Sequence, residues 1–371
     1  MEMGEKMHDI DQLFDLLSEL SALSGVCGHE QDVVRCLRDK LTPLADEVSV
    51  DAFGNLSAMC KGGSPGPRLM ISVHSDEVGA VINTITPDGF LGFTPVGVID
   101  PRILPTARLL VNKKIAGTVS CVPGHASTEP GGQASFNKNL FIDIGARSDA
   151  QVWELGIEIG QTACFISPAT RLAQPNLVMG KAMDNRIGCA VLVKLFERLK
   201  GKKFPGEVYG VVTVQEEMAM SGARIVSPRI APDYAIVVDT VPLDDTPLQS
   251  MPDIPIHLGG GPVAQLRTGK GSLFLGTVAN ENITRLIRST ADELKLPLQR
   301  VAAYGKWATD AEVIHTAGGG IPLGFLSIPR RYGHTPNEVI DLNDAQKAIE
   351  ILAEVVEKKM GDFSDDFFKY S

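Results

Sequence analysis

Acidic residues and histidines follow five apolar runs of the sequence, where their side chains could bind a metal ion or move a proton. Near-continuous apolar runs are typical of parallel strands buried on both faces, and ligands of open α/β sheets bind beyond the carboxyl ends of such strands. We therefore expect these side chains to meet at one edge of a sheet. They are His74 and Asp76, Asp184, Glu216 and Glu217, Asp239, and His334.

A metal ion is the chemistry that this set favours. Carboxylates that gather in one place repel each other unless a cation neutralises them. A mixture of imidazole and carboxylate suits Zn²⁺, Co²⁺ or Mn²⁺. Each residue alone has a plainer explanation, since Asp184 could cap a helix and Glu216 and Glu217 could be solvated. His29-Glu30 is not part of HExxH, because Val33 stands at the second histidine's position.

Composition narrows the function classes. The chain has 371 residues, a formal net charge of −10 and 44% hydrophobic residues, which predicts a globular protein of about two domains. The acidic balance disfavours a nucleic-acid binder. No apolar run reaches the length of a membrane span, and the polar start is unlike a signal peptide. Six cysteines without a C-x-x-C pair indicate reduced thiols and a cytoplasmic location.

Hydrophobic periodicity divides the chain into two kinds of structure. Residues 1–76 and 179–371 alternate helical patterns with apolar strands, which predicts an α/β domain. Within it we expect strands over 68–73, 208–214, 234–238 and 321–328. Residues 77–178 consist mainly of short β-like runs separated by turns, which predicts an inserted β-barrel or sandwich.

Five motifs in order along the chain resemble the dinuclear metallo-aminopeptidases of the glutamyl-aminopeptidase or deblocking-aminopeptidase (TET) family, in the MH clan. The resemblance covers nearly the whole sequence and extends into the predicted β domain. The motifs are VHSDEVG from Val73, KAMDNRIGC from Lys181, VQEEMAMSGAR from Val214, VVDT from Val237 and IPRRYGHTPNEVIDLND from Ile328.

The resemblance implies a role for each site residue. Two divalent metal ions per subunit, Zn or Co, would share Asp184 as a bridging ligand. His74 and Asp239 would complete the ligands of one metal, and Glu217 and His334 those of the other. Glu216 would be the general base, and Asp76 would orient the imidazole of His74. The resemblance also implies a cis peptide bond between Asp184 and Asn185.

The implied fold is a three-layer catalytic domain of the zinc-exopeptidase type with an inserted β-barrel at 77–178. The implied activity is hydrolysis of the N-terminal residue of peptides by a water that two metals activate. Self-association into a dodecamer through the inserted domain is implied as well, with no nucleic-acid or membrane partner.

Two alternative functions stay open. One is hydrolysis of another small amide, such as an N-acyl amino acid or a dipeptide, for which Arg330 or Arg331 could bind the substrate carboxylate. The other is a non-catalytic assembly module that retains a metal site.

Overall fold

The structure is a computed structural model that describes residues 3–121, 140–247, 254–270, 276–303 and 306–363. Residues 122–139 of the predicted β domain therefore lie outside the described residues. No helix among the described parts of the chain is long and apolar enough to span a bilayer. The helices are α1 Met3–Ala22, α2 Gln31–Leu41, α3 Asp149–Glu154, α4 Met183–Leu199, α5 Glu216–Ala219, α6 Ser221–Ile230, α7 Glu281–Leu294, α8 Ala311–Ile314 and α9 Leu342–Glu354.

Most strands are short, and they fall into two larger sheets, two small pairs and a barrel. They are β1 Glu47–Val50, β2 Leu56–Lys61, β3 Ser64–His74, β4 Gly79–Ile85, β5 Leu91–Val96, β6 Arg108–Val111, β7 Ile115–Val119, β8 Ile142–Asp143, β9 Thr162–Phe165, β10 Thr170–Arg171, β11 Leu177–Gly180, β12 Pro205–Thr213, β13 Tyr234–Val237, β14 Thr240–Pro242, β15 Val263–Arg267, β16 Gly269–Lys270, β17 Gln299–Ala302, β18 Lys306–Trp307, β19 Leu323–Phe325, β20 Ile328–Arg331 and β21 Glu338–Asp341.

The central six-stranded sheet has the order β1-β2-β12-β3-β13-β19, and its strands from β12 to β19 are parallel. Alternate residues of one strand enter two different hydrophobic cores, as the two-residue period of a strand requires. In β3, Leu69 and Ile71 join the core formed with α1, α4 and α9, whereas Met70 joins the core formed with α6 and α8. This sheet, covered by helices on both faces, confirms the predicted three-layer α/β fold.

The inserted strands form a closed barrel in the order β4-β5-β8-β7-β6-β9. Every pairing around the barrel is antiparallel, and the interior has its own hydrophobic core that includes Ile82, Phe93 and Val111. The structure therefore contains the barrel and not the sandwich. The barrel strands lie between Gly79 and Phe165, whereas the domain boundaries at 77 and 178 remain a prediction.

The continuous strand predicted over 321–328 is wrong. Leu323–Phe325 belongs to the six-stranded sheet, and Ile328–Arg331 belongs to the five-stranded sheet β10-β11-β21-β20-β14. Between them, Ser327 forms two backbone hydrogen bonds of 2.8 Å with Val263. The chain thus changes sheets inside one apolar run, which periodicity alone does not reveal.

Candidate metal centre and active site

Parallel strands β3, β12 and β13 end side by side and bring most of the predicted site residues together. His74 is the last residue of β3 and pairs in register with Thr213 of β12, and Asp239 stands two residues beyond β13. Glu216 and Glu217 open α5 after β12. The convergence expected at the carboxyl edge of the sheet is therefore present.

Asp184 lies at the centre of the group, near the start of α4, and a histidine approaches each of its two carboxylate oxygens. His74 Nε2 is 3.1 Å from Asp184 Oδ1 and 3.5 Å from Asp239 Oδ1. His334 Nε2 is 3.5 Å from Asp184 Oδ2 and 3.3 Å from Glu217 Oε2. The five residues predicted as ligands thus form two groups that share Asp184.

The peptide bond between Asp184 and Asn185 is cis, as the resemblance implies. The side-chain amide of Asn185 donates to the carbonyl of Val238 over 2.9 Å. The backbone N–H of Asp184 donates to Glu338 Oε2 over 3.0 Å. These two contacts connect the central aspartate to the end of β13 and to β21.

Asp76 contacts both His74 and the glutamate pair. Its Oδ1 lies 3.5 Å from His74 Nδ1, so the carboxylate stands behind the imidazole as expected. Its two oxygens also accept the backbone N–H groups of Glu216 and Glu217, each over 3.0 Å. Asp76 therefore also binds the start of α5, a second contact that the sequence did not reveal.

His334 is oriented by groups outside the ligand set. Its Nδ1 is 2.8 Å from the carbonyl oxygen of Val98, which can only accept, so Nδ1 carries the proton of that hydrogen bond. Nε2 is consequently the nitrogen that faces Asp184 and Glu217. The backbone N–H of His334 donates to Glu338 Oε1 over 2.7 Å.

Burial raises the pKa of most carboxylates in the group. It raises the pKa of Glu217 to about 7 and that of Glu216 well above its ordinary value, and neighbouring carboxylates add to both shifts. Burial works against protonation of His74, but Asp239 and the other carboxylates outweigh it and raise the imidazole pKa well above its usual value. A bound cation would favour the charged carboxylates and lower their pKa values.

The donor set fits a metal. Among the described residues, side-chain atoms of His74, Asp184 and Glu217 come within 4.8 Å of one another. Glu217 Oε1 is buried and has no hydrogen-bond partner. A buried carboxylate oxygen without a partner is costly, and a cation would satisfy it.

Three further charged residues complete the site. Arg330 Nη2 lies 2.9 Å from Asp184 Oδ2, and Nη1 of the same residue donates to Glu338. Asp310 accepts from Thr213 Oγ1 over 2.6 Å, and burial together with Asp76 and Asp239 raises the pKa of Asp310 to about 7. The sequence indicated Arg330 as either a substrate-binding residue or part of a surface salt bridge, and it did not predict Glu338 or Asp310 here. Glu338 follows His334 within the same motif, whereas Asp310 lies in a segment without a strand-end signal.

Comparison with known proteins identifies the family. The sequence profile of the M42 glutamyl aminopeptidase family matches residues 54–351. The chain belongs to this family. A lysyl aminopeptidase of Pyrococcus furiosus is 30% identical to the chain, over 93% of the chain and 97% of that protein.

Solved structures agree with this assignment. An aminopeptidase of the archaeon Desulfurococcus kamchatkensis has a TM-score of 0.89 and 29% identity, and the match covers 97% of the chain and 99% of that protein. The TET1 peptidase of Pyrococcus horikoshii, which can assemble into a tetrahedron or a large octahedral shell, has a TM-score of 0.82 and 26% identity, over 93% and 99% of the two chains. The chain is thus an M42 aminopeptidase with the α/β-and-barrel fold of these proteins, and M42 peptidases depend on metal ions.

Proposed function

We propose that the chain removes the N-terminal residue of peptides with the help of two divalent metal ions and Glu216 as general base. The observation that carries this proposal is the arrangement around Asp184. Each of its oxygens faces a different histidine, and each histidine lies 3.5 Å or less from a second carboxylate. One carboxylate with a ligand group on either side suits a pair of metals better than a single ion.

His74, Asp184 and Asp239 would hold one metal, and Asp184, Glu217 and His334 the other. Imidazole and carboxylate donors favour Zn²⁺ or Co²⁺ over Mg²⁺ or Ca²⁺. When bound, such ions polarise a peptide carbonyl and make a water molecule more acidic.

Glu216 is suited to proton transfer. It is buried, and burial favours the protonated form of the carboxyl group, so its pKa lies well above that of a solvated glutamate. Glu216 would accept a proton from the attacking water and then donate it to the leaving amine. Asp76 holds the backbone of Glu216 in place through the 3.0 Å hydrogen bond to its N–H.

The alternative function, hydrolysis of another small amide, lacks an available arginine among the two candidates. A substrate with a free carboxylate needs an available cation, and Arg330 and Arg331 were the candidates. Arg330 is buried against Asp184 and Glu338, and Arg331 pairs with Asp245 through contacts of 2.5 and 2.7 Å. Both guanidinium groups already have carboxylate partners.

A peptide panel tests the proposed activity. The metal-loaded protein would be assayed on one peptide in three forms: with both termini free, N-acetylated, and C-amidated. We expect hydrolysis of the free and C-amidated forms and none of the N-acetylated form. Cleavage that requires a free C-terminus would favour the small-amide alternative. Absence of activity across peptides with all N-terminal residue types would favour the non-catalytic module.

We also propose that the barrel domain, residues 77–178, mediates self-association into a dodecamer. The shell assembly of the Pyrococcus horikoshii relative supports it, since a tetrahedral shell offers twelve equivalent positions. A cytoplasmic location is a further proposal, supported by the thiols of Cys27, Cys36, Cys60, Cys164 and Cys189.

A further inference from the structure

Arg330 is a buried cation beside the proposed metal ligands. Its side chain is 5% exposed, and Nη2 lies 2.9 Å from Asp184 Oδ2. Nη1 pairs with Glu338, whose carboxylate also accepts the backbone N–H groups of Asp184 and His334. The guanidinium is therefore attached, through Glu338, to the backbone of two proposed ligands.

The contact between Arg330 and Asp184 makes the two halves of the site electrostatically unequal. Asp184 Oδ1 faces His74 Nε2 at 3.1 Å, and beyond it stands the carboxylate of Asp239. Asp184 Oδ2 faces His334 Nε2 at 3.5 Å and the guanidinium of Arg330 at 2.9 Å. Among the described arginine and lysine side chains, a permanent positive charge thus contacts Asp184 at Oδ2 and not at Oδ1.

The packing around Arg330 keeps the guanidinium in this place. A Cβ atom at Gly333 would lie 2.7 Å from Arg330 Cζ and Nη2, so the absence of a side chain at Gly333 makes room for the group. An arginine side chain cannot lose its proton in a protein, so the charge persists at any working pH. A guanidinium and a metal ion a few ångströms apart in a buried site would repel each other strongly, even at an effective dielectric constant of about 20.

We propose that Arg330 weakens metal binding at the half formed by Asp184 Oδ2, Glu217 and His334, so that the half formed by His74, Asp184 Oδ1 and Asp239 fills first. This inference rests on the proposed two-metal function. It assigns Arg330 a specific effect: the guanidinium competes with the second metal for the shared carboxylate, and loading becomes ordered.

The test compares Arg330→Gln with Arg331→Gln. The two substitutions remove the same charge from adjacent residues, but Arg331 pairs with Asp245 and makes no contact with Asp184 among those described. Chelator-treated proteins would be titrated with Co²⁺ by calorimetry, and bound Co²⁺ would be counted after gel filtration. Circular dichroism would check that each variant is folded.

We expect the wild-type protein to bind two Co²⁺ ions with unequal affinities. Arg330→Gln should tighten the weaker site by at least about tenfold and leave the tighter site nearly unchanged. Arg331→Gln should match the wild type. If Arg330→Gln does not fold because Glu338 is left unpaired, anomalous scattering from wild-type crystals soaked with less than one equivalent of Co²⁺ decides instead. The signal should appear beside His74 and Asp239, and a signal beside Glu217 and His334 would overturn the inference.

The inference is overturned if removal of the Arg330 charge leaves the weaker affinity unchanged, lowers it, or raises both affinities equally. Wild-type protein that binds fewer than two Co²⁺ ions would instead count against the proposed two-metal function. The two failures are therefore distinguishable in one experiment.

Discussion

In the proposed mechanism, the adjacent residues Glu216 and Glu217 have different tasks. Glu217 Oε2 lies 3.3 Å from His334 Nε2, and its other oxygen is buried without a partner. The charges that act on Glu216 include those of His74, Glu217 and Asp239, and His74 contacts the other carboxylate oxygen of Asp184 from the one that faces His334. A carboxylate bound to a metal is a poor base, so the two roles need two residues.

Substitution of each glutamate by glutamine separates the roles. Glu216→Gln removes the base and preserves its shape, so both metals should remain while kcat falls by about 10²–10⁴. Glu217→Gln should lose one metal and regain part of its activity in excess metal. Metal content and kcat measured on both variants check this.

The opposite pattern would reverse the assignment: a metal lost from Glu216→Gln and both metals kept by Glu217→Gln. Two solvated carboxylates without a role would give little change in either variant.

At the scale of elements, a buried ion cluster joins the loop after β3 to the start of α4. Glu77 forms ion pairs with Lys181 Nζ at 2.7 Å and with Arg186 Nη2 at 3.3 Å. All three side chains are at most 5% exposed. Glu77 Oε1 also accepts the N–H of Gly25 over 2.9 Å. The cluster holds His74, Asp76 and Asp184 in their relative positions, because those residues flank its members in sequence.

Glu77→Gln should destabilise the fold. The substitution leaves two buried cations with a neutral partner, and breaking a buried ion pair costs about 3–5 kcal/mol. Urea unfolding of the metal-free protein would measure the loss. Glu281→Gln is the matched control, because Glu281 forms an exposed pair with Arg285 and should cost less than about 1 kcal/mol. Equal free energies of unfolding for the two variants would contradict the stabilising role of the cluster.

How far the sequence predicts these elements depends on burial. Strands β3, β12 and β13 are predictable because they are covered on both faces and leave nearly continuous apolar runs. The sheet change at Ser327 is not predictable, since strands of two different sheets share one apolar segment. The site residues are found from strand ends and motifs. The position of Arg330 cannot be found in this way, because arginine is ordinarily exposed and only the packing of β20 against Asp184 buries it.

At the scale of the whole molecule, a loop of the barrel contacts a residue of the site. The barrel has its own hydrophobic core. The carbonyl of Val98, in the loop after β5, binds His334 Nδ1 over 2.8 Å. A residue of the barrel domain therefore helps to orient a proposed metal ligand.

Light scattering coupled to size-exclusion chromatography tests the assembly. Twelve copies of a 39.7 kDa chain give a mass of about 480 kDa, which we expect for the metal-loaded protein. Residues of the barrel supply the contacts in this proposal. A mass near 39.7 kDa at micromolar concentration would contradict it.

The central claim is that metal bound at Asp184 and its neighbours carries the peptidase activity. The most direct test is turnover of a peptide with a free N-terminus as a function of metal content. The protein would be stripped with a strong chelator, its metal content determined by elemental analysis, and Co²⁺ or Zn²⁺ then restored stepwise. We expect turnover to vanish in the stripped protein and to return as bound metal approaches two ions per chain. Undiminished turnover in a sample shown to be metal-free would contradict the claim.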